Sequence, residues 1–340
     1  MEPTADEKME ANKQPIKVMP YSMMVGQQQL KLALELTYIA PRIGGVLLSG
    51  QRGTGKSTLV RAFSVMMYGK LPVTIPINAT EDRVVGGWEL NELFKASLVP
   101  QTGLLEDADG KLLYIDEVNL LDDHIVNIIL DVTSTGILIV QREGRKDEKE
   151  LRFTLVGTMN PSEGGLRPQL LDRFGLMVDV VTEPEDVRQQ ILQAVLDYDT
   201  ALVLEKGRKG GEPRKVKLAN ARKQDQLRKA QLEKAKAHFT SVTLPPGVAE
   251  GCVRVSSSIQ AEGHRGDYIM ALAAQAHAAL RGAKFAEMSD LCAVAPLSLQ
   301  HRRSGTLHTS GPLWTDEDDK MIQELLASKP GQTAEQSPRR

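Results

Sequence analysis

Val46-Leu47-Leu48-Ser49-Gly50-Gln51-Arg52-Gly53-Thr54-Gly55-Lys56-Ser57-Thr58 is the stretch on which the fold turns. Its apolar run stops at Ser49-Gly50, and from Lys56 to Met67 apolar residues recur at helical spacing, so the segment predicts strand, loop, helix. Gly50 to Ser57 matches G-x-x-x-x-G-K-[ST] in the context that motif requires. A loop wrapping phosphate oxygens must adopt positive φ and bring N–H groups close, which assigns Gly53 and Gly55 their place. The helix N-terminus aims its N–H groups at the same anion. Lys56 adds a point charge for the β- and γ-phosphates, and the Ser57 hydroxyl is placed for Mg²⁺, with Thr58 beside it. ATP and Mg²⁺ are the cofactors implied, and Gly50, Gly53, Thr54, Gly55, Lys56, Ser57 and Thr58 are the candidate nucleotide-binding residues.

Outward from this loop, residues 111–115 form an apolar strand ending on Asp116-Glu117, at the edge where open α/β sheets bind ligands. Asp116 is a candidate Mg²⁺ ligand, with Ser57, and Glu117 a candidate base for the attacking water. Residues 125–132 predict a helix. Residues 137–141 and 152–156 predict strands flanking a charged turn at 143–150. The strand leading to Val156-Gly157-Thr158-Met159-Asn160 ends on an amide that neither titrates nor carries charge, which suits Asn160 to sensing the γ-phosphate. Residues 166–174 place Arg167 and Arg173 around a short apolar helix near 170–173. Alternating strands and helices predict a mostly parallel α/β sheet.

The β signal fades near Asp186. We partition the chain into a polar tail (1–17), an α/β nucleotide-binding domain (18–186), a small all-helical domain (187–328) and a second polar tail (329–340). Within the helical part, residues 205–236 carry twelve Lys/Arg against four Asp/Glu, which predicts a basic insertion, a solvated loop running into an amphipathic helix. An Ala-rich helix is predicted over 260–281.

Composition excludes other classes. With 42 Lys+Arg against 44 Asp+Glu the formal charge is −2, so no global field recruits nucleic acid or an acidic membrane. No apolar run of eighteen residues and no signal-like N-terminus is visible, which makes the cytoplasm the expected location. The two cysteines, Cys252 and Cys292, have no C-x-x-C spacing and are expected to be buried thiols. Six histidines without H-x-x-x-H or H-E-x-x-H spacing, and 4% aromatic content, argue against a resident metal centre or a porphyrin pocket.

These motifs, in this order, resemble an AAA+ ATPase of the helix-2-insert clade. Residues 25–58, 114–132 and 156–176, with Gly263-His264-Arg265-Gly266-Asp267 farther on, are similar to the I-subunit family of magnesium chelatase. The likeness spans roughly residues 18–305. It implies an AAA+ P-loop domain followed by a helical lid, and an ATP-hydrolysing motor that drives Mg²⁺ insertion into a tetrapyrrole held by another subunit. It further implies a homo-oligomeric ring, expected to be hexameric, a von Willebrand-type partner subunit and a large porphyrin-binding subunit. Arg173 is then the finger entering the neighbour's site, with Arg167 a second candidate, and Arg265 the lid arginine touching the γ-phosphate of its own chain. Residues 88–100 correspond to the helix-2 insert, and the two strands around the charged turn to the hairpin preceding Asn160. The segment 68–80 is shorter than in typical members. The alternatives are a MoxR-like chaperone ATPase acting on another metalloenzyme and a nucleic-acid remodelling ATPase, the latter supported only by the basic stretch.

Overall fold

The computed structural model describes residues 17–88, 100–142, 145–205, 212–303 and 313–327. Five strands form the central sheet: β1 (Val46–Ser49), β2 (Val73–Ile75), β5 (Leu112–Ile115), β8 (Thr154–Met159) and β9 (Leu176–Asp179). Their order is β2-β5-β8-β1-β9, every pair parallel. β1, β5 and β8 are buried throughout, as expected of a parallel sheet covered on both faces.

Period-two alternation sorts the strand side chains between two cores. Val46, Leu48, Tyr114 and Val156 face a core shared with helices α1 (Gln28–Ile39) and α2 (Lys56–Tyr68). Leu47, Leu113, Ile115 and Leu155 face the other, shared with α3 (Glu81–Val85), α4 (Leu104–Asp107), α5 (Asp123–Thr135) and α6 (Pro168–Arg173). α5 starts where the Asp122 carboxylate accepts the His124 N–H and stops at Gly136, whose φ of 72° ends the helix.

Six further helices follow: α7 (Glu185–Glu205), α8 (Glu212–Phe239), α9 (Pro246–Ser258), α10 (Arg265–Leu280), α11 (Met288–Leu299) and α12 (Asp316–Ala327). Leu232, Met270 and Leu291 join the first core, so the helical region shares apolar burial with the sheet. The Ala-rich helix begins later than its composition predicts, because Gln260 (φ 55°) and Gly263 (φ 71°) break the backbone ahead of Arg265.

One expectation is corrected. The hairpin before Asn160 pairs β6 (Ile137–Arg142) with β7 (Arg145–Glu150), antiparallel, so the supposed charged turn supplies a strand. Residues 152–156 belong instead to β8 and its approach in the central sheet. Of the basic stretch, residues 206–211, where the loop is expected, lie outside the described residues, and from Glu212 onward it is the helix into which that loop is expected to run. This helix packs inward through Leu218, Leu232 and Ala235, and Arg228 pairs with the buried Glu35 of α1. Of the expected insert, residues 89–99 lie outside the described residues; its flanks pair as β3 (Gly86–Trp88) and β4 (Pro100–Thr102). Cys252 is buried and Cys292 half-buried, both free thiols. No described helix is long and apolar enough to cross a membrane.

Candidate functional site

The C-terminal ends of β1, β5 and β8 enclose a cavity of about 390 Å³ lined by the glycine-rich loop, Asp116, Glu117 and Asn160. Gly53 and Gly55 have φ of 83° and 84°, as a phosphate-wrapping loop requires. Gly50 is constrained differently, since a Cβ there would lie 2.3 Å from the Val180 carbonyl oxygen. Lys56, at the first turn of α2, donates its ammonium to the carbonyls of Gly50 (2.6 Å) and Gln51 (2.7 Å). Burial lowers its pKa, opposed by the charges of Asp116 and Glu117.

A hydroxyl network joins the two candidate metal ligands. The Tyr114 hydroxyl lies 2.8 Å from Ser57 Oγ and donates to Asp116 Oδ1 at 2.8 Å. Thr158 Oγ1 donates to the same carboxylate oxygen at 2.8 Å. Burial raises the Tyr114 pKa to about 12, so it remains a neutral donor at physiological pH. One hydroxyl and one carboxylate form a hard oxygen set of the kind Mg²⁺ accepts when substrate phosphate and water complete its shell. These residues fit that ion.

Glu117 follows in a left-handed conformation (φ 55°, ψ 59°), which for a non-glycine residue costs about 1–3 kcal/mol. Its N–H donates to Thr158 Oγ1 at 3.1 Å, securing that turn. Arg52 bridges the Glu117 carboxylate (2.8 Å) and Glu163 (2.7 Å), and Asn160 Nδ2 donates to the same Glu163 oxygen at 3.1 Å. The structure thus brings Lys56, Ser57, Asp116, Glu117 and Asn160 together. It adds Arg52, Tyr114, Thr158 and Glu163, which sequence reasoning missed. Thr158 carried a signal: it stands two residues before Asn160 on one strand, hence on the same face.

The three arginines lie elsewhere. Arg173 pairs with Asp131 of α5 at 2.8 Å, and Arg167 with Asp123 at 2.6 Å. Arg265 does not line its own phosphate cavity as expected; its Nη2 donates to the Arg173 carbonyl at 3.0 Å. The physical reason is the docking of α10, whose first residue is Arg265, against Pro41–Ile43. Among the described residues no group of three or more His, Cys, Asp or Glu could hold a metal ion.

Comparison with known proteins gives the family. Residues 45–174 match the AAA domain (dynein-related subfamily) and residues 250–325 the AAA lid domain. The magnesium-chelatase 38 kDa subunit of Cereibacter sphaeroides is 37% identical, covering 84% of this chain and 92% of that one. An uncharacterised protein of Mycobacterium tuberculosis is 39% identical over 85% of this chain, which spans only 45% of that longer protein. A crystal structure of a putative ATPase from Cytophaga hutchinsonii shares the fold at 14% identity, with a TM-score of 0.59 and 90% of each chain covered. The chain therefore belongs to the magnesium-chelatase I-subunit family of AAA ATPases.

Proposed function

We propose that this chain is the ATP-hydrolysing motor of a metal chelatase and that its catalytic site is completed by a second copy. The observation that supports this is the division of charged groups: the nucleophile-activating and phosphate-binding residues share one cavity, whereas Arg173 and Arg265 meet each other outside it.

In this reading the glycine-rich loop and Lys56 hold the phosphates. Ser57 and Asp116 would hold Mg²⁺, which would supply positive charge against the phosphates. Glu117 accepts a proton from the attacking water once Arg52 yields its carboxylate, and Asn160 orients that water beside the γ-phosphate. A second cavity of about 500 Å³ between the start of α1 and α7, lined by Val25, Gly26, Asp179 and Val187, would hold the adenine ring. Arg173 is delivered to the neighbour's transition state, where a charge in trans stabilises the transferring phosphoryl group. Arg265, sharing that edge, acts on the neighbour as well. The assembly is a ring, hexameric as the family resemblance implies. Its work is transmitted through a von Willebrand-type partner to a porphyrin-binding subunit, Mg²⁺ there being cargo.

Mixing Glu117→Gln with Arg173→Ala protein tests the shared site. The first variant lacks the base but offers an intact finger; the second has the reverse defect. Random equimolar rings should regain about a quarter of wild-type ATPase, because that fraction of junctions is whole if the finger acts in trans. No recovery in rings shown to be mixed would refute the reading.

A further inference from the structure

The segment carrying Arg173 is gripped by the lid of its own chain. At the end of α6 the backbone carbonyls are left without helical partners and form the negative end of the helix dipole. Arg302, whose side chain is fully buried, donates to Asp172 O (2.8 Å), Phe174 O (2.7 Å) and Gly175 O (3.0 Å). Its Nε donates to Asp172 Oδ1 at 3.0 Å and its remaining Nη1 proton to Ser298 O, so all five guanidinium N–H groups are used. His301 Nε2 donates to Phe174 O at 3.1 Å, and Arg265 Nη2 to Arg173 O at 3.0 Å. Every carbonyl from 172 to 175 is thereby bound by a lid side chain. Gly175 blocks retreat on the other side, since a Cβ there would lie 1.9 Å from the Ile43 carbonyl oxygen. Arg302 is itself anchored, because its carbonyl accepts the Glu262 N–H at 3.0 Å, in the segment leading to α10.

A buried guanidinium is an expensive way to hold a loop, and burial lowers its pKa to about 10 despite the Asp172 carboxylate. An apolar residue would fill the volume but could not bind four backbone and side-chain acceptors of one segment at once. We propose that Arg302 is the positioning residue of the arginine finger, so that the lid of one subunit sets how far its Arg173 reaches into the neighbour's site. This rests on the reading that Arg173 acts in trans. It makes lid placement in one subunit a control on hydrolysis in the next.

The test uses full-length Arg302→Met, and in parallel Arg302→Lys, which keeps a buried charge but not the planar fork. A finger displaced by about 1 Å should lower kcat by about 10- to 100-fold, with the ATP KM changed less than about threefold. The lysine variant should recover part of the loss. Rings mixing Arg302→Met with Glu117→Gln should regain turnover, whereas Arg302→Met with Arg173→Ala should not, both lesions being on the finger side. Unaltered kcat in Arg302→Met or Arg302→Lys overturns the proposal. So does recovery with Arg173→Ala but not with Glu117→Gln, which would place the damage in the variant's own cavity. The Glu117→Gln and Arg173→Ala mixture separates the two ideas: its recovery, without recovery of Arg302→Met by Glu117→Gln, overturns the lid's role alone. Its failure overturns the trans reading beneath it.

Discussion

Replacing Arg228 by Met tests how the basic helix α8 is held to the sheet. Glu35 of α1 has a side chain only 4% exposed, and its carboxylate accepts both Arg228 Nε (2.8 Å) and Arg228 Nη2, with the Tyr21 hydroxyl at 3.2 Å. Methionine preserves much of the stem but removes both charge-assisted bonds, leaving a buried carboxylate with a single neutral donor. Breaking a buried pair in this way costs about 3–5 kcal/mol. The Arg228 side chain is 36% exposed, so water can partly replace it, and about 3 kcal/mol is the better figure. At about 2–4 °C per kcal/mol for a domain of this scale, the melting midpoint should fall by about 6–12 °C. The double variant Glu35→Leu/Arg228→Met should recover most of that loss, because the stranded charge rather than the missing pair is what destabilises. Thermal unfolding by circular dichroism in fixed salt and protein concentration reads both. A single variant melting within 2 °C of wild type, or a double variant no better than the single, would refute the claim that this pair docks α8.

Gly175→Ala must push backbone against backbone at Ile43, and should lower kcat by about 100-fold through displacement of the finger segment. Gly165→Ala, where a Cβ meets nothing within 4 Å, should leave stability within about 0.5 kcal/mol, which paired kinetics and melts will show. Asp290 supplies a pH prediction. Burial raises its pKa, but hydrogen bonds from His277, Arg281 and the Glu287 N–H outweigh burial and hold it well below the usual carboxylate range. A depressed folded value means its stabilisation is full above the unfolded pKa near 4 and is lost as pH falls below that. Asp290→Asn should therefore be less stable than wild type at pH 7, with a flatter decline from pH 5 to pH 3; an unchanged acid limb in melts across that range would count against it.

The candidate site was legible wherever chemistry demands a fixed local spacing. A phosphate loop needs its glycines, lysine and hydroxyl within eight residues between a strand and a helix. Asp116, Glu117 and Asn160 stand at ends of apolar strands, where a parallel sheet gathers its ligand groups. Local hydrophobic periodicity likewise marked β1, β5, β8 and the helices α2, α5 and α10, while α1, α9, α11 and α12 were not singled out. Pairing and burial of charged residues were not legible. Arg145–Glu150 is charged throughout, so nothing in its pattern marks it as the partner of β6; hydrogen bonding to a neighbour in space makes it a strand.

The same limit governs the arginines. Along the chain Arg173, Arg228, Arg265 and Arg302 are equivalent cations, and composition favours solvent for each. Their fates differ because of what the fold sets opposite them: a carboxylate on α5, a buried carboxylate on α1, one carbonyl at the end of α6, and a cluster of acceptors there. Local spacing was enough to point to a phosphate loop between a strand and a helix and to name Lys56, Ser57, Asp116, Glu117 and Asn160 as candidates, but not Arg52 or Thr158, which line the same cavity. Only the tertiary structure decided that Arg265 turns away from that site and that the lid grips the segment bearing Arg173. The partners of Arg265, Arg302 and Arg228 stand 92, 130 and 193 residues away along the chain and are chosen by the packing of helices, and no local pattern encodes such distances.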